Sequence, residues 1–204
     1  MPKSTRILIA EDQGMMRSAL ASLLELEADM TVVADVGRGD EVLGMVRQVR
    51  PDVVLLDIEL PGRSGLDVIE DVARVLPDCA IIIVTTFGRP GYLRRALASG
   101  AKGFLVKDDP VGDLAASIRR VLAGDIVVNP LLAAQALSAS ANPLTDRERQ
   151  VLSASADGAT IADIAGRLHL SSRTVRNYLS SAIGKTATRN HAEALSLARD
   201  RGWL

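Results

Sequence analysis

PDVVLLDIELPGRSG, residues 51–65, carries four consecutive apolar side chains, Val53 to Leu56, that stop on an acid, Asp57. An uninterrupted apolar run of this length suits a parallel strand covered on both faces, and Pro61, Gly62 and Gly65 break the chain soon after it. Asp57 therefore stands at the carboxyl end of a buried strand. In an open α/β sheet that end is where ligands bind, because the loops splay apart there and the following helices point their N-termini inward. A strand-end aspartate also serves as a plain cap for the next helix, so Asp57 by itself supports either role. The neighbouring strands decide between them.

Outward from this stretch, strand and helix patterns alternate. Residues 7–10 read as a first strand, followed directly by Glu11 and Asp12, and residues 15–26 place Met16, Leu20, Leu23 and Leu24 on one helix face. Residues 31–36 read as a strand and 40–49 as a helix; the Asp57 strand and a helix at 66–76 follow. A fourth strand at 80–84 ends at Thr85, a helix spans 90–99, a fifth strand at 103–106 ends at Lys107, and a helix at 111–122 closes the set. Five rounds of strand then helix predict an α/β fold, a (βα)5 doubly wound parallel sheet, over residues 1–123.

Glu11, Asp12, Asp57, Thr85 and Lys107 each lie just after a strand, so the topology gathers them at one rim. Three carboxylates crowded together repel unless a cation sits among them, and all-oxygen ligation suits Mg²⁺. A metal so placed would bridge to a phosphoryl group. Asp57 could then act as nucleophile and form an aspartyl-phosphate, with the Thr85 hydroxyl and Lys107 ammonium holding phosphoryl oxygens. Taken singly, Lys107 is an ordinary strand-end lysine and Thr85 an ordinary strand residue; the weight lies in their convergence.

Composition bounds the function classes. The 204 residues suit a domain of about 120 residues plus a smaller one. Aromatic residues make up only 2%, which argues against base stacking as a mode of nucleic-acid recognition. A single cysteine, Cys79, allows no internal disulfide and no unaided zinc site, and no apolar run approaches membrane-spanning length, so a cytoplasmic protein without a membrane segment is expected. Residues 143–204 hold nine Lys/Arg and six Asp/Glu, a charge of +3, whereas residues 1–142 carry −4, the sign expected if the C-terminal part meets phosphates.

Past Gly124 the alternation stops, and residues 124–142 read as a linker with a short helix at 131–137. From residue 143 to 204 the pattern is all helical. Thr145 with Glu148 forms a capping-box signature for a helix at 146–156, and Thr160 starts a second helix with Ile161, Ile164, Ala165 and Leu168 on one side. A tight turn near Ser171 leads into a third helix at 173–185, whose outward face carries Arg173, Thr174, Arg176, Asn177, Ser180 and Ser181. Two short helices joined this way form a helix-turn-helix, and Arg176 and Asn177 have the chemistry for guanine and adenine edges. The same face would also suit plain solvent exposure.

These motifs carry a family resemblance. Residues 5–122 resemble the receiver domain of a two-component response regulator, with Glu11, Asp12, Asp57, Thr85, Phe104 and Lys107 in the order and spacing of that family. The resemblance implies that Asp57 is the phosphoacceptor. It further implies that Asp12, Asp57 and the backbone carbonyl of Glu59 bind Mg²⁺ directly, that Glu11 acts through water, and that Thr85 and Phe104 form a switch pair. Phe104 equally fits plain core. Residues 86–92, together with Gly202 and Trp203, are similar to regulators of fatty-acid desaturase genes that answer to a membrane thermosensor kinase.

LTDRERQVL (144–152), IADIAGRLHLSSRTVRNYLSS (161–181) and the helix at 190–201 resemble the four-helix DNA-binding domain of NarL and LuxR regulators. By that likeness Arg176, Asn177 and Ser180 touch bases, Thr174 and Lys185 touch the backbone, and Arg173 lies on the same surface. Tyr178, Ser180, Thr186, Thr188 and His191 depart from the usual pattern and weaken its nonspecific charge.

The implied function is a phosphorylation-switched transcription factor, not an enzyme. Its partners would be a sensor histidine kinase, promoter DNA and a second copy of the chain, with RNA polymerase a further candidate. The helices at 15–26 and 111–122 are candidate dimer faces, and the 90–99 helix with the last strand competes with them. Two other readings are a regulator that works without phosphorylation and an Asp-nucleophile phosphohydrolase with Asp57 and Glu59 as a DxD pair. The phosphohydrolase reading lacks an obvious general acid and expects its nucleophile on the first strand.

Overall fold

The structure, a computed structural model, describes residues 4–107, 114–138 and 142–204. The chain divides into two compact units, the first made of residues 1–88 and 92–134 and the second of residues 89–91 and 135–204.

The first unit is built on a parallel sheet of β1 (Thr5–Ala10), β2 (Met30–Val36), β3 (Val53–Leu56), β4 (Ala80–Thr85), β5 (Gly103–Val106) and β6 (Val127–Val128), in the order β2-β1-β3-β4-β5-β6. Five helices belong with it: α1 (Gly14–Glu25), α2 (Gly39–Val49), α3 (Gly65–Val75), α4 (Pro90–Ala98) and α5 (Leu114–Leu122). All four residues of β3 are buried, as its continuous apolar run requires. Side chains alternate between faces along each strand. Ile7, Ile9, Val53, Leu55 and Ile82 pack with Leu20 and Leu24 of α1 and Ile118 and Val121 of α5. Leu8, Val54, Leu56, Ile81 and Ile83 point to the other face and are equally buried, as are Val42 and Val46 of α2 and Val68 and Val72 of α3.

The strand order reverses direction at β1. From β1 the chain goes outward to β2, then returns past β1 to β3, and the crevice at such a switch point opens at the carboxyl ends of the two central strands. Glu11 and Asp12 follow β1, and Asp57 follows β3, so the topology alone puts them on either side of that crevice.

Two expectations need correction. The sheet has a sixth strand, β6, paired in parallel with β5 through Gly103 opposite Val127 and Phe104 opposite Val128. It lies within residues 124–142, which the loss of the strand-helix rhythm had marked as linker; two residues are too few to show a period, and only the edge of β5 reveals the pairing. Helix α6 (Pro130–Ser138) follows it, close to the expected short helix. The expected start of the last receiver helix, at 111, lies outside the described residues, as does part of the join before residue 142.

The second unit contains α7 (Asp146–Ala154), a 3-10 turn at Ala156–Gly158, α8 (Ile161–Leu168), α9 (Ser172–Thr186) and α10 (His191–Asp200). The helix expected over 146–156 thus stops at Ala154. Each of the four α-helices has a side-chain cap: Thr145 and Thr160 make full capping boxes with Glu148 and Asp163, while Ser171 and Asn190 accept from the third residue of their helices. Val151, Leu152, Ile164, Val175, Leu179 and Trp203 close the core. Among the described residues no helix is long and apolar enough to cross a membrane.

Gly65 opens α3 where the chain turns back under the Asp57 loop. Its amide donates to the Ile58 carbonyl at 3.0 Å, and a Cβ there would lie 1.9 Å from the Asp57 carbonyl oxygen. Gly65→Ala is therefore expected to destabilise the first unit by about 1–3 kcal/mol or more, because backbone must move to make room. Urea unfolding followed by circular dichroism measures it; a midpoint equal to wild type would contradict the close approach.

Candidate functional site

The carboxyl rim of the sheet collects the residues that the sequence marked. Glu11 is buried at the end of β1, Asp57 is buried after β3, and Asp12 is exposed beside them. Carboxylate oxygens of all three lie within 4.8 Å of one another. Lys107, at the end of β5, places its Nζ 2.6 Å from Glu11 Oε2 and 2.7 Å from Asp57 Oδ2. The other Asp57 oxygen, Oδ1, accepts from the Ile58 amide at 2.6 Å and from the Glu59 amide at 3.4 Å.

Burial governs the electrostatics here. Removal from water pushes the Glu11 carboxyl above the usual carboxylate range even though Lys107 pulls it down, and the Asp57 charge adds to the rise. For Lys107 burial favours the neutral amine, yet hydrogen bonds to Asp57 and Glu11 outweigh it and hold the ammonium above its ordinary value. Three carboxylates and one ammonium leave a formal charge of −2. An all-oxygen cluster with that residual charge could hold a divalent cation.

Thr85 ends β4 fully buried, and its Oγ1 accepts from the Phe87 amide at 3.3 Å. The Lys107 amide donates to the Thr85 carbonyl at 2.8 Å, so the hydroxyl-bearing residue and the lysine are neighbours across the β4–β5 ladder. Phe104 is fully buried, opposite Ile83 and Val128 in the sheet. The Glu59 side chain is exposed, and its carboxylate is not among the clustered ones.

In the second unit α9 presents Arg173, Arg176, Asn177 and Ser180 to solvent, with Thr174 half-buried and bonded to the Ser171 cap. Lys185 has a partner that sequence reading did not foresee. Its Nζ lies 2.8 Å from Glu148 Oε2, and Ser181 Oγ donates to Glu148 Oε1 at 2.6 Å. Glu148 is buried and also accepts from the Thr145 amide at 2.7 Å. The capping box was legible, but its second task, fastening α9 to α7, spans 37 residues and leaves no local signal. Burial would raise the Glu148 pKa; hydrogen bonds from Lys185, Ser181 and Thr145 more than reverse this and lower it to about 2.

Both units match known protein families. Residues 7–119 match the response regulator receiver domain, and residues 142–198 match the bacterial regulatory proteins of the LuxR family. The chain belongs to the LuxR-family response regulators. It is a response regulator transcription factor, with a receiver and a helical DNA-binding domain. Over 198 residues it is 45% identical to the transcriptional regulatory protein DesR of Bacillus subtilis, covering 97% of this chain and 98% of that one. It is also 45% identical over 199 residues to the transcriptional regulatory protein YvfU of the same organism, covering 98% and 99%. Among solved structures, a LuxR-family DNA-binding response regulator from Staphylococcus aureus aligns with a TM-score of 0.55 at 36% identity, over 58% of this chain and 98% of that one.

In this regulator the Glu148 cluster makes a pH-dependent contribution to the second unit. The folded-state pKa of Glu148 lies below its ordinary 4.5, so the stabilisation is complete above about 4.5 and is lost as pH falls toward 2. Glu148→Gln is expected to cost about 2 kcal/mol at neutral pH and to flatten the stability profile between those values. Denaturation of the full chain followed by fluorescence of Trp203, its single tryptophan, reads both effects. Parallel profiles for the two proteins would contradict the assignment.

Proposed function

We propose that Asp57 accepts a phosphoryl group from a phosphohistidine of a sensor kinase, and that this charge controls dimerisation and promoter binding. The observation that carries the reading is the buried Glu11, Asp57 and Lys107 cluster with Asp12 at its mouth. In the transfer, the P–N bond breaks with its electron pair left on the imidazole nitrogen, and an Asp57 carboxylate oxygen forms the new P–O bond.

Mg²⁺ fits the donor set; held by Asp12, Asp57 and the Glu59 carbonyl, with Glu11 acting through water, it would neutralise charge on the phosphoryl oxygens. Lys107 keeps its ammonium beside Asp57 and can follow a phosphoryl oxygen as a point charge. The Thr85 hydroxyl, bonded among the described residues to a backbone amide at 3.3 Å, turns toward the same group, and Phe104 takes up the space it leaves. The added charge of about −1.5 to −2 biases the receiver toward one of two states.

The dimer surface is α1 with α5. Met15 is 88% exposed and Leu26 81%, and Leu23, Leu122 and Ile126 are exposed as well, apolar side chains that a partner surface would cover. Arg176, Asn177 and Ser180 read the major groove from α9, with Arg173 on the same surface and Thr174 on the backbone. Lys185 shares its ammonium with Glu148, so its contribution to affinity is smaller than its charge suggests.

Asp57→Asn should abolish labelling by acetyl phosphate and the dimerisation that depends on it, leaving the fold intact; undiminished labelling would reject the reading. Arg176→Ala should cost about 1–3 kcal/mol in operator affinity and relax preference at one base pair, measured by fluorescence anisotropy on matched and substituted sites. Equal loss on every sequence would make Arg176 a backbone contact.

A further inference from the structure

The three clustered carboxylates repel one another, and Lys107 pairs with only two of them, Glu11 and Asp57. Asp12 is exposed and rides on the loop between β1 and α1. Its direction depends on what holds that loop's backbone.

Arg17, on the first turn of α1, does so from the outer side. Its Nη1 donates to the Glu11 carbonyl oxygen at 2.6 Å, and its Nε lies 2.6 Å from Asp35 Oδ1 on β2. The Glu11 amide donates to the Val36 carbonyl at 3.0 Å, so both backbone polar groups of Glu11, on successive peptide bonds, are held. Two further bonds close the loop: the Gln13 amide to Glu11 Oε1 at 3.2 Å, and the Arg17 amide to the Gln13 carbonyl at 2.9 Å. Gly37 makes room for the guanidinium, since a Cβ there would come within 3.2 Å of Nη1. The carbonyl that Arg17 holds belongs to the peptide bond that carries Asp12.

We propose that Arg17 is a positioning residue for the cation site: anchored by Asp35, it fixes the Glu11–Asp12 peptide so that the Asp12 carboxylate faces Asp57 before any ion arrives. This rests on the metal-assisted phosphoacceptor reading of the same site. A planar guanidinium can bond two acceptors on different elements at once, which a lysine ammonium on a flexible stem does less well. Partners outside the ligand set typically change metal affinity 10- to 100-fold.

The test is a Mg²⁺ titration of the full chain, followed by backbone amide chemical shifts, for wild type, Arg17→Ala, Arg17→Lys and Asp35→Asn, with a thermal melt of each. Arg17→Ala is expected to weaken Mg²⁺ binding about 10-fold or more, Asp35→Asn to weaken it by a smaller factor, and Arg17→Lys to fall between wild type and alanine. A purely structural role would lower melting temperatures and leave the Mg²⁺ dissociation constants of the folded variants at the wild-type value, and that result overturns the inference. Should Arg17→Ala not fold, Asp35→Asn and Arg17→Lys decide by the same criterion. Wild type that fails to bind Mg²⁺ at all overturns both this inference and the phosphoacceptor reading; wild-type binding with unchanged variants overturns this inference alone.

Discussion

The Lys107 ammonium between Glu11 and Asp57 is the interaction on which the first unit's chemistry depends. Burying two carboxylates side by side is costly, and the sheet meets that cost with a cation carried on a strand two places away from the Asp57 strand. Only a long side chain can reach across the end of β4 to do this. Asp12 stays at the exposed mouth, and the residual negative charge faces outward. The cluster is stable enough to be built and keeps a net negative charge that could hold a divalent cation.

A second buried carboxylate, Glu148, follows the opposite logic. Donors from Thr145, Ser181 and Lys185 satisfy both its oxygens, and it stays ionised far below neutral pH. The result is a fastener between α7 and α9 rather than a reactive site. The same residue type serves as scaffold in one unit and as chemistry in the other, and the difference is whether the local charges cancel. Lys185 belongs to this fastener, whereas Arg173 and Arg176 of α9 are exposed to solvent.

Much of this was readable from local pattern. The apolar run at 53–56, the acids after residues 10 and 56 and the alternation of periods specify a parallel sheet with its site at the switch point, since buried parallel strands leave that pattern and strand ends have few alternatives. The capping residues Thr145, Thr160 and Ser171 likewise mark helix starts, because a cap acts within one turn. Contacts between distant segments left no such trace. Sequence determined which residues stand at strand ends and which helix faces are polar. Tertiary structure alone decided that Val127 and Val128 extend the sheet, that Lys107 is shared between two acids, that Lys185 is tied to Glu148, and that Arg17 bridges Glu11 to Asp35. Periodicity and capping are set by neighbours along the chain, whereas a charge pair is set by which loops the folded sheet and helices bring within 3 Å, a distance that no spacing in the sequence encodes.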